Sequence, residues 1–172
     1  NDLLSKPSMK HVLDNTSIPF VICGGDFPGA FGSKDDVLKA RAEVLDYQNF
    51  IGKGKFFSVQ GNHDFTIRSS SGGSTGYTAE NSLVYDTLIR PNEFYLPSIQ
   101  AGKEYYYIDI PSQKTRIFML NSMDGNPATE NTDPWGTQYT ISQEQADWLI
   151  AKAKEKTGWK FIFICHVPCD SN

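Results

Sequence analysis

The sequence predicts an α/β domain built on a parallel β-α-β unit and an antiparallel hairpin. Three observations carry that expectation. Two short apolar runs, Ile18–Cys23 and Lys55–Gln60, flank a segment whose apolar residues recur at helical spacing. Two β-rich runs, Glu104–Ile110 and Thr115–Asn121, are separated only by Pro111-Ser112-Gln113-Lys114, the form of a hairpin. A last apolar run, Trp159–Cys165, follows a second helical pattern. At 172 residues the chain, 1–172, is one domain's worth and long enough to bury a sizeable core.

Taken in order, residues 2–14 carry Leu3, Leu4, Met9, Val12 and Leu13 among polar neighbours, an amphipathic helix with Pro7 expected in its first turn. Ile18–Cys23 runs without interruption into Gly24-Gly25, as a strand covered on both faces would. Ser33 is a good N-cap before Lys34-Asp35-Asp36, and Val37, Ala40, Val44, Tyr47 and Ile51 form one stripe. Gly52 and Gly54 end that helix. Strand, helix and strand in this order predict a right-handed unit with parallel strands.

Residues 65–103 and 124–139 are expected to be long loop segments. Arg68–Gly76 has almost nothing to bury, and a short helix is expected before Pro91. Ser142 with Gln145 makes a capping-box pattern, after which Ala146, Leu149, Ile150 and Ala153 recur at helical spacing. Trp159–Cys165 is expected to be a third buried strand, delivering His166 at its carboxyl end.

Composition narrows the function. Hydrophobic residues at 39% and aromatics at 13% exclude a disordered chain, and no apolar run approaches the roughly 20 residues of a membrane helix. A net charge of −4 leaves no dominant basic field for nucleic acid, so a soluble protein with no evident nucleic-acid surface and no membrane partner is expected. No signal peptide is visible, and the compartment stays open. Cys23, Cys165 and Cys169 lack any disulfide or zinc-finger spacing. The first two read as buried structural thiols.

Binding sites in open α/β sheets lie beyond the carboxyl ends of the strands. Asp26, then Asn62-His63-Asp64, then His166 each follow an apolar run immediately, so three strands aim polar residues at one crevice. Singly, each has a bland reading: a turn aspartate after Gly-Gly, a turn with Asn62 left-handed, a strand-ending histidine. Carboxylate, amide oxygen and imidazole are also the donors that hold divalent transition metals.

With Cys23-Gly24-Gly25-Asp26, Gly61-Asn62-His63-Asp64 and Cys165-His166-Val167-Pro168 in this order, the chain resembles the calcineurin-like metallophosphoesterase family. The resemblance covers most of the chain. It implies an incomplete metallophosphoesterase-type β-sandwich with flanking helices, and metal-dependent hydrolysis of a phosphomonoester or phosphodiester substrate by an activated water. Asp26 resembles the metal-bridging aspartate, and Asn62 and His166 resemble ligands of the second metal. His63 resembles the general acid, and Asp64 its supporting carboxylate. The implied cofactors are two divalent ions in a complete domain, drawn from manganese, iron or zinc.

The family's initial Asp-x-His and final Gly-His-x-His are absent from these residues. The chain is therefore expected to be a piece of the domain, holding one ion weakly or none. It is also expected to expose sheet edges that invite self-association or a complementing chain. The alternative expectation is a catalytically inactive module retained for binding or assembly.

Overall fold

A computed structural model describes residues 2–26, 34–61, 64, 85–124 and 140–167, with side chains from residue 6 in the first helix and residue 42 in the second. Asn62, His63, Ser33, the side chains of Val37 and Ala40, residues 65–84 and 125–139 of the expected loop segments, and Cys169 lie outside the described residues. The rest is a mixed α/β structure with one small parallel sheet and one small mixed sheet.

Helix α1 covers Asp2–Asn15. Because it begins at Asp2, Pro7 stands beyond the first turn where the sequence put it, and costs the helix one internal hydrogen bond. Strand β1 (Val21–Cys23), helix α2 (Lys34–Ile51) and strand β2 (Phe56–Ser58) follow. The two strands are parallel, Val21 opposite Phe56 and Cys23 opposite Ser58, as the β-α-β pattern requires. Leu13 of α1, Ile51 of α2 and Phe56 of β2 form one buried cluster, with Met9, Val21, Cys23 and Tyr47 against it. A Lys6–Asp46 ion pair ties the two helices on the surface.

The expectation that β1 is covered on both faces is corrected. All three of its residues are half-buried and Ile18 before it is 47% exposed, because β1 has a strand neighbour on one side only among the described residues. Strand β2 is better protected. Side chains satisfy its second edge: the Tyr106 hydroxyl donates to the Ser58 carbonyl at 2.8 Å and accepts from the Ser58 N–H at 3.2 Å, and Asn92 Nδ2 donates to the Phe56 carbonyl at 3.2 Å. These bonds meet backbone groups that would otherwise be buried without partners.

Where a short helix is expected before Pro91, a π turn at Tyr85–Ile89 runs into a 3₁₀ turn at Arg90–Asn92 that contains the proline. Strands β3 (Tyr106–Ile110) and β4 (Thr115–Met119) then form the expected antiparallel hairpin, Tyr106 opposite Met119. The loop between them is a 3₁₀ turn, Pro111–Gln113, closed by a left-handed Lys114. Helix α3 (Gln143–Lys154) leads to β5 (Lys160–Ile164), which pairs in parallel with β4 and gives the order β3-β4-β5. The main core joins the two sheets: Phe57 and Val59 meet Tyr106, Ile108, Ile117 and Met119, with Val44, Tyr85, Leu88 and Ile89 packed among them.

Two expectations about the second half are corrected. Strand β5 is not buried: Ile162 is 47% and Phe163 53% exposed, because β5 is the outer strand of its sheet and α3 sits over β3 and β4 instead. The anchor of α3 is Trp148, whose ring lies 4.8 Å from Tyr105 and 5.7 Å from Phe118. Ile150, placed on the apolar stripe by its spacing, is 49% exposed.

The start of α3 corrects the capping-box reading in part. Ser142 does accept the Gln145 N–H, at 3.1 Å, as an N-cap should. The reciprocal half is supplied by Asp124, whose Oδ1 takes the Ser142 N–H at 2.6 Å. The Gln145 side chain is fully buried elsewhere, accepting from the Asn121 N–H at 3.0 Å and donating to the Asn121 carbonyl at 2.8 Å. No described helix is long and apolar enough to cross a membrane.

Candidate functional site

Three strand ends meet at one place. Beyond β1, Gly24-Gly25-Asp26 turns across the end of its sheet; beyond β2, the chain stays buried through Gly61; beyond β5, His166 arrives from the other sheet. The site lies where the two sheets come together, and the two glycines allow that approach. Gly25 has φ +93, and a β-carbon there would stand 2.7 Å from the Gly61 nitrogen and 2.9 Å from His166 Nδ1. A β-carbon at Gly61 would fall well inside contact distance of the Asp26 backbone and carboxylate. Only hydrogen fits at either position.

Asp26 itself is left-handed, with φ 55. Such a conformation costs a residue other than glycine on the order of 1 kcal/mol or more, and aspartate tolerates it better than most. The surroundings hold it there. Asp64 Oδ2 accepts the Asp26 N–H at 3.1 Å and the Gly61 N–H at 2.6 Å, while the Asp64 N–H donates to the Gly61 carbonyl at 3.2 Å. Charged acceptors make the stronger class of hydrogen bond.

His166 is fixed from two sides. Its Nδ1–H donates to the Gly24 carbonyl at 2.7 Å, and the next residue's N–H, on Val167, donates to Ser122 Oγ at 3.3 Å. A carbonyl can only accept, so the proton of a neutral ring sits on Nδ1 and the Nε2 lone pair points outward. Nε2 faces Asp26 Oδ2 at 3.3 Å. Two lone-pair donors at that separation can share a cation, either a proton or a metal ion. Ligands about 2.1 Å from a common ion span up to about 4.2 Å, so this pair fits one. The carbonyl behind Nδ1 is the usual outer partner of a metal-binding histidine.

The sequence-predicted residues divide accordingly. Asp26, Asp64 and His166 are brought together, whereas Asn62 and His63 lie outside the described residues. Among the described residues, no group of three or more His, Cys, Asp or Glu side chains is arranged to hold a metal ion. The donor set described is thus the Asp26–His166 pair. Cys23 stays a structural thiol: burial first, then the charges of Asp64 and Asp26, push its pKa up and keep it protonated.

Sequence reasoning left Ser122 and the Gly24 carbonyl without roles. Ser122 is fully buried at the end of β4, and beside it Asn121 Nδ2 donates to Gln60 Oε1 at 3.0 Å, joining the ends of β2 and β4. Two adjacent polar residues closing an apolar strand, Asn121-Ser122, are the signal that could have found it. A backbone carbonyl leaves no signal. No protein-family model matches the chain, and a search of curated proteins finds no match.

Proposed function

We propose that the protein hydrolyses a phosphomonoester or phosphodiester with the help of a divalent metal ion, with Asp26, Asn62 and His166 as ligands and His63 as general acid. The observation that carries the reading is the approach of Asp26 Oδ2 and His166 Nε2 to 3.3 Å, with the imidazole's other nitrogen tied to Gly24. These residues follow different strands, and each bland reading of the separate motifs leaves their meeting unexplained. A bound divalent ion supplies Lewis acidity at the phosphoryl group and an activated water.

The chain's own residues supply orientation and charge. Gly24 holds the neutral His166 ring in the tautomer that turns the Nε2 lone pair toward Asp26. Asp26 brings the negative charge that keeps a cation in place next to an anionic substrate. His63 is assigned the proton that the leaving oxygen takes up, a task that contributes about 10²–10⁴-fold in rate. Turnover of 4-nitrophenyl phosphate and bis(4-nitrophenyl) phosphate with added Mn²⁺ tests the reading. Replacement His63→Ala should lower the rate by about that factor while Mn²⁺ uptake stays near normal. Mn²⁺-independent turnover, or none at all on either ester, would contradict it.

A second reading, a non-catalytic binding module, is favoured by the small donor set among the described residues. Calorimetric titration with Mn²⁺ separates the two: tight uptake supports the enzyme, and one weak site or none supports the module.

A further inference from the structure

Asp64 stands at the centre of the contacts between the β1 and β2 loops. A single carboxylate oxygen, Oδ2, takes N–H groups from both, Asp26 at 3.1 Å and Gly61 at 2.6 Å. The loops are already as close as glycine permits at Gly25 and Gly61, and Asp26 is left-handed at φ 55. Without an acceptor at that point, the Asp26 and Gly61 N–H groups would lose the hydrogen bonds that join the two loops around the left-handed Asp26. The Asp26 side chain leaves from that same backbone toward His166.

We infer that Asp64 is a positioning residue: its oxygen clamps the two loops, and through the Asp26 backbone sets the carboxylate against His166. This rests on the phosphoesterase reading only in taking the Asp26–His166 pair as the cation site. The role requires an acceptor oxygen, not a negative charge. Asparagine offers such an oxygen in nearly the same place and alanine offers none.

The test is Mn²⁺ affinity, measured by titration of the whole chain for wild type, Asp64→Asn, Asp64→Ala and His166→Ala, each checked for folding by circular dichroism. Asp64→Asn should bind close to wild type, and Asp64→Ala about 10–100-fold more weakly, the range for an outer partner of a ligand. Equal loss in both Asp64 variants would mean that the charge itself is needed, as for a direct ligand or a partner of His63, and would overturn the clamp. Wild-type affinity in Asp64→Ala would overturn it too. Wild-type protein with no His166-dependent uptake would sink the phosphoesterase reading and the clamp together, which separates that failure from the previous two. Should Asp64→Ala not fold, the amide protons of Asp26 and Gly61 decide. The clamp predicts downfield, slowly exchanging signals in wild type and in Asp64→Asn, and fast exchange at both positions overturns it.

Discussion

Glu104 is a carboxylic acid only 7% exposed, at the entrance to β3. Burial pushes its pKa up to about 7, and the charge of Asp124 adds to the effect, against the opposing pull of its own backbone N–H and of Lys103. Below the unfolded value of 4.5 both states carry the proton, and the favourable contribution is complete. As pH rises from there to about 7 the unfolded chain releases its proton first, so stability falls, by up to about 3 kcal/mol from this group. Glu104→Gln should therefore be more stable than wild type at pH 8, with the gap closing toward pH 4.5. Urea midpoints across that range check it, and a gap independent of pH would contradict it.

The contrast with Asp64 is instructive at this scale. Both are acids placed at the ends of apolar segments, yet two backbone N–H groups receive Asp64 while Glu104 pairs mainly with its own backbone. The Asp26 N–H that Asp64 accepts lies far from it in the chain, so nothing in the local sequence of Asp64 reveals that contact.

Among the elements, α3 does more than cover a sheet. Through Gln145 it satisfies both backbone groups of Asn121, and Asn121 in turn reaches Gln60 and the Met123 N–H. The helix start, the end of β4 and the end of β2 are thereby linked by buried amides directly behind the site. Gln145→Leu would leave the Asn121 N–H and carbonyl unpaired at about 1–3 kcal/mol each. A loss of about 2–6 kcal/mol in urea unfolding is expected, against about 1 kcal/mol for the cap deletion Ser142→Ala. Equal losses in the two variants would contradict this division of labour.

Helix α2 and the β3–β4 hairpin were legible in the sequence because their signals are local: the Val44 and Ile51 spacing in one, a four-residue turn between β-rich runs in the other. Strand β5 was legible as a strand but not as an edge. A continuous apolar run reads as buried on both faces, while the exposure of Ile162 and Phe163 depends on what lies beside β5, which periodicity does not encode. Gln145 misled for a related reason. The pattern that marks a capping box is also the pattern that allows a buried glutamine to face inward from the first turn.

Across the whole molecule, the two sheets are joined at the site end, while the second sheet is braced within itself at its other end. At the far end from the site, Arg116 is 1% exposed, with Nε and Nη2 on Asp109 at 2.7 and 2.9 Å and its plane 3.6 Å over Tyr107. At the site end, His166 crosses from the second sheet to the Gly24 carbonyl of the first. The convergence of Asp26 and His166 was legible from placement alone, since both follow apolar runs at strand ends. The manner of it was not, because β1 and β5 belong to different sheets and the contact depends on how those sheets pack.

The cation site proposed for this chain is the Asp26–His166 pair. The chain has three histidines, His11, His63 and His166, so nitrogen coordination can be assigned by elimination. Pulsed electron paramagnetic resonance of the Mn²⁺-loaded protein measures it directly. Nitrogen modulation from one imidazole is expected, persisting in His11→Ala and His63→Ala and disappearing in His166→Ala. Modulation that survives His166→Ala, or its absence from the loaded wild-type protein, would rule out His166 as the ligand.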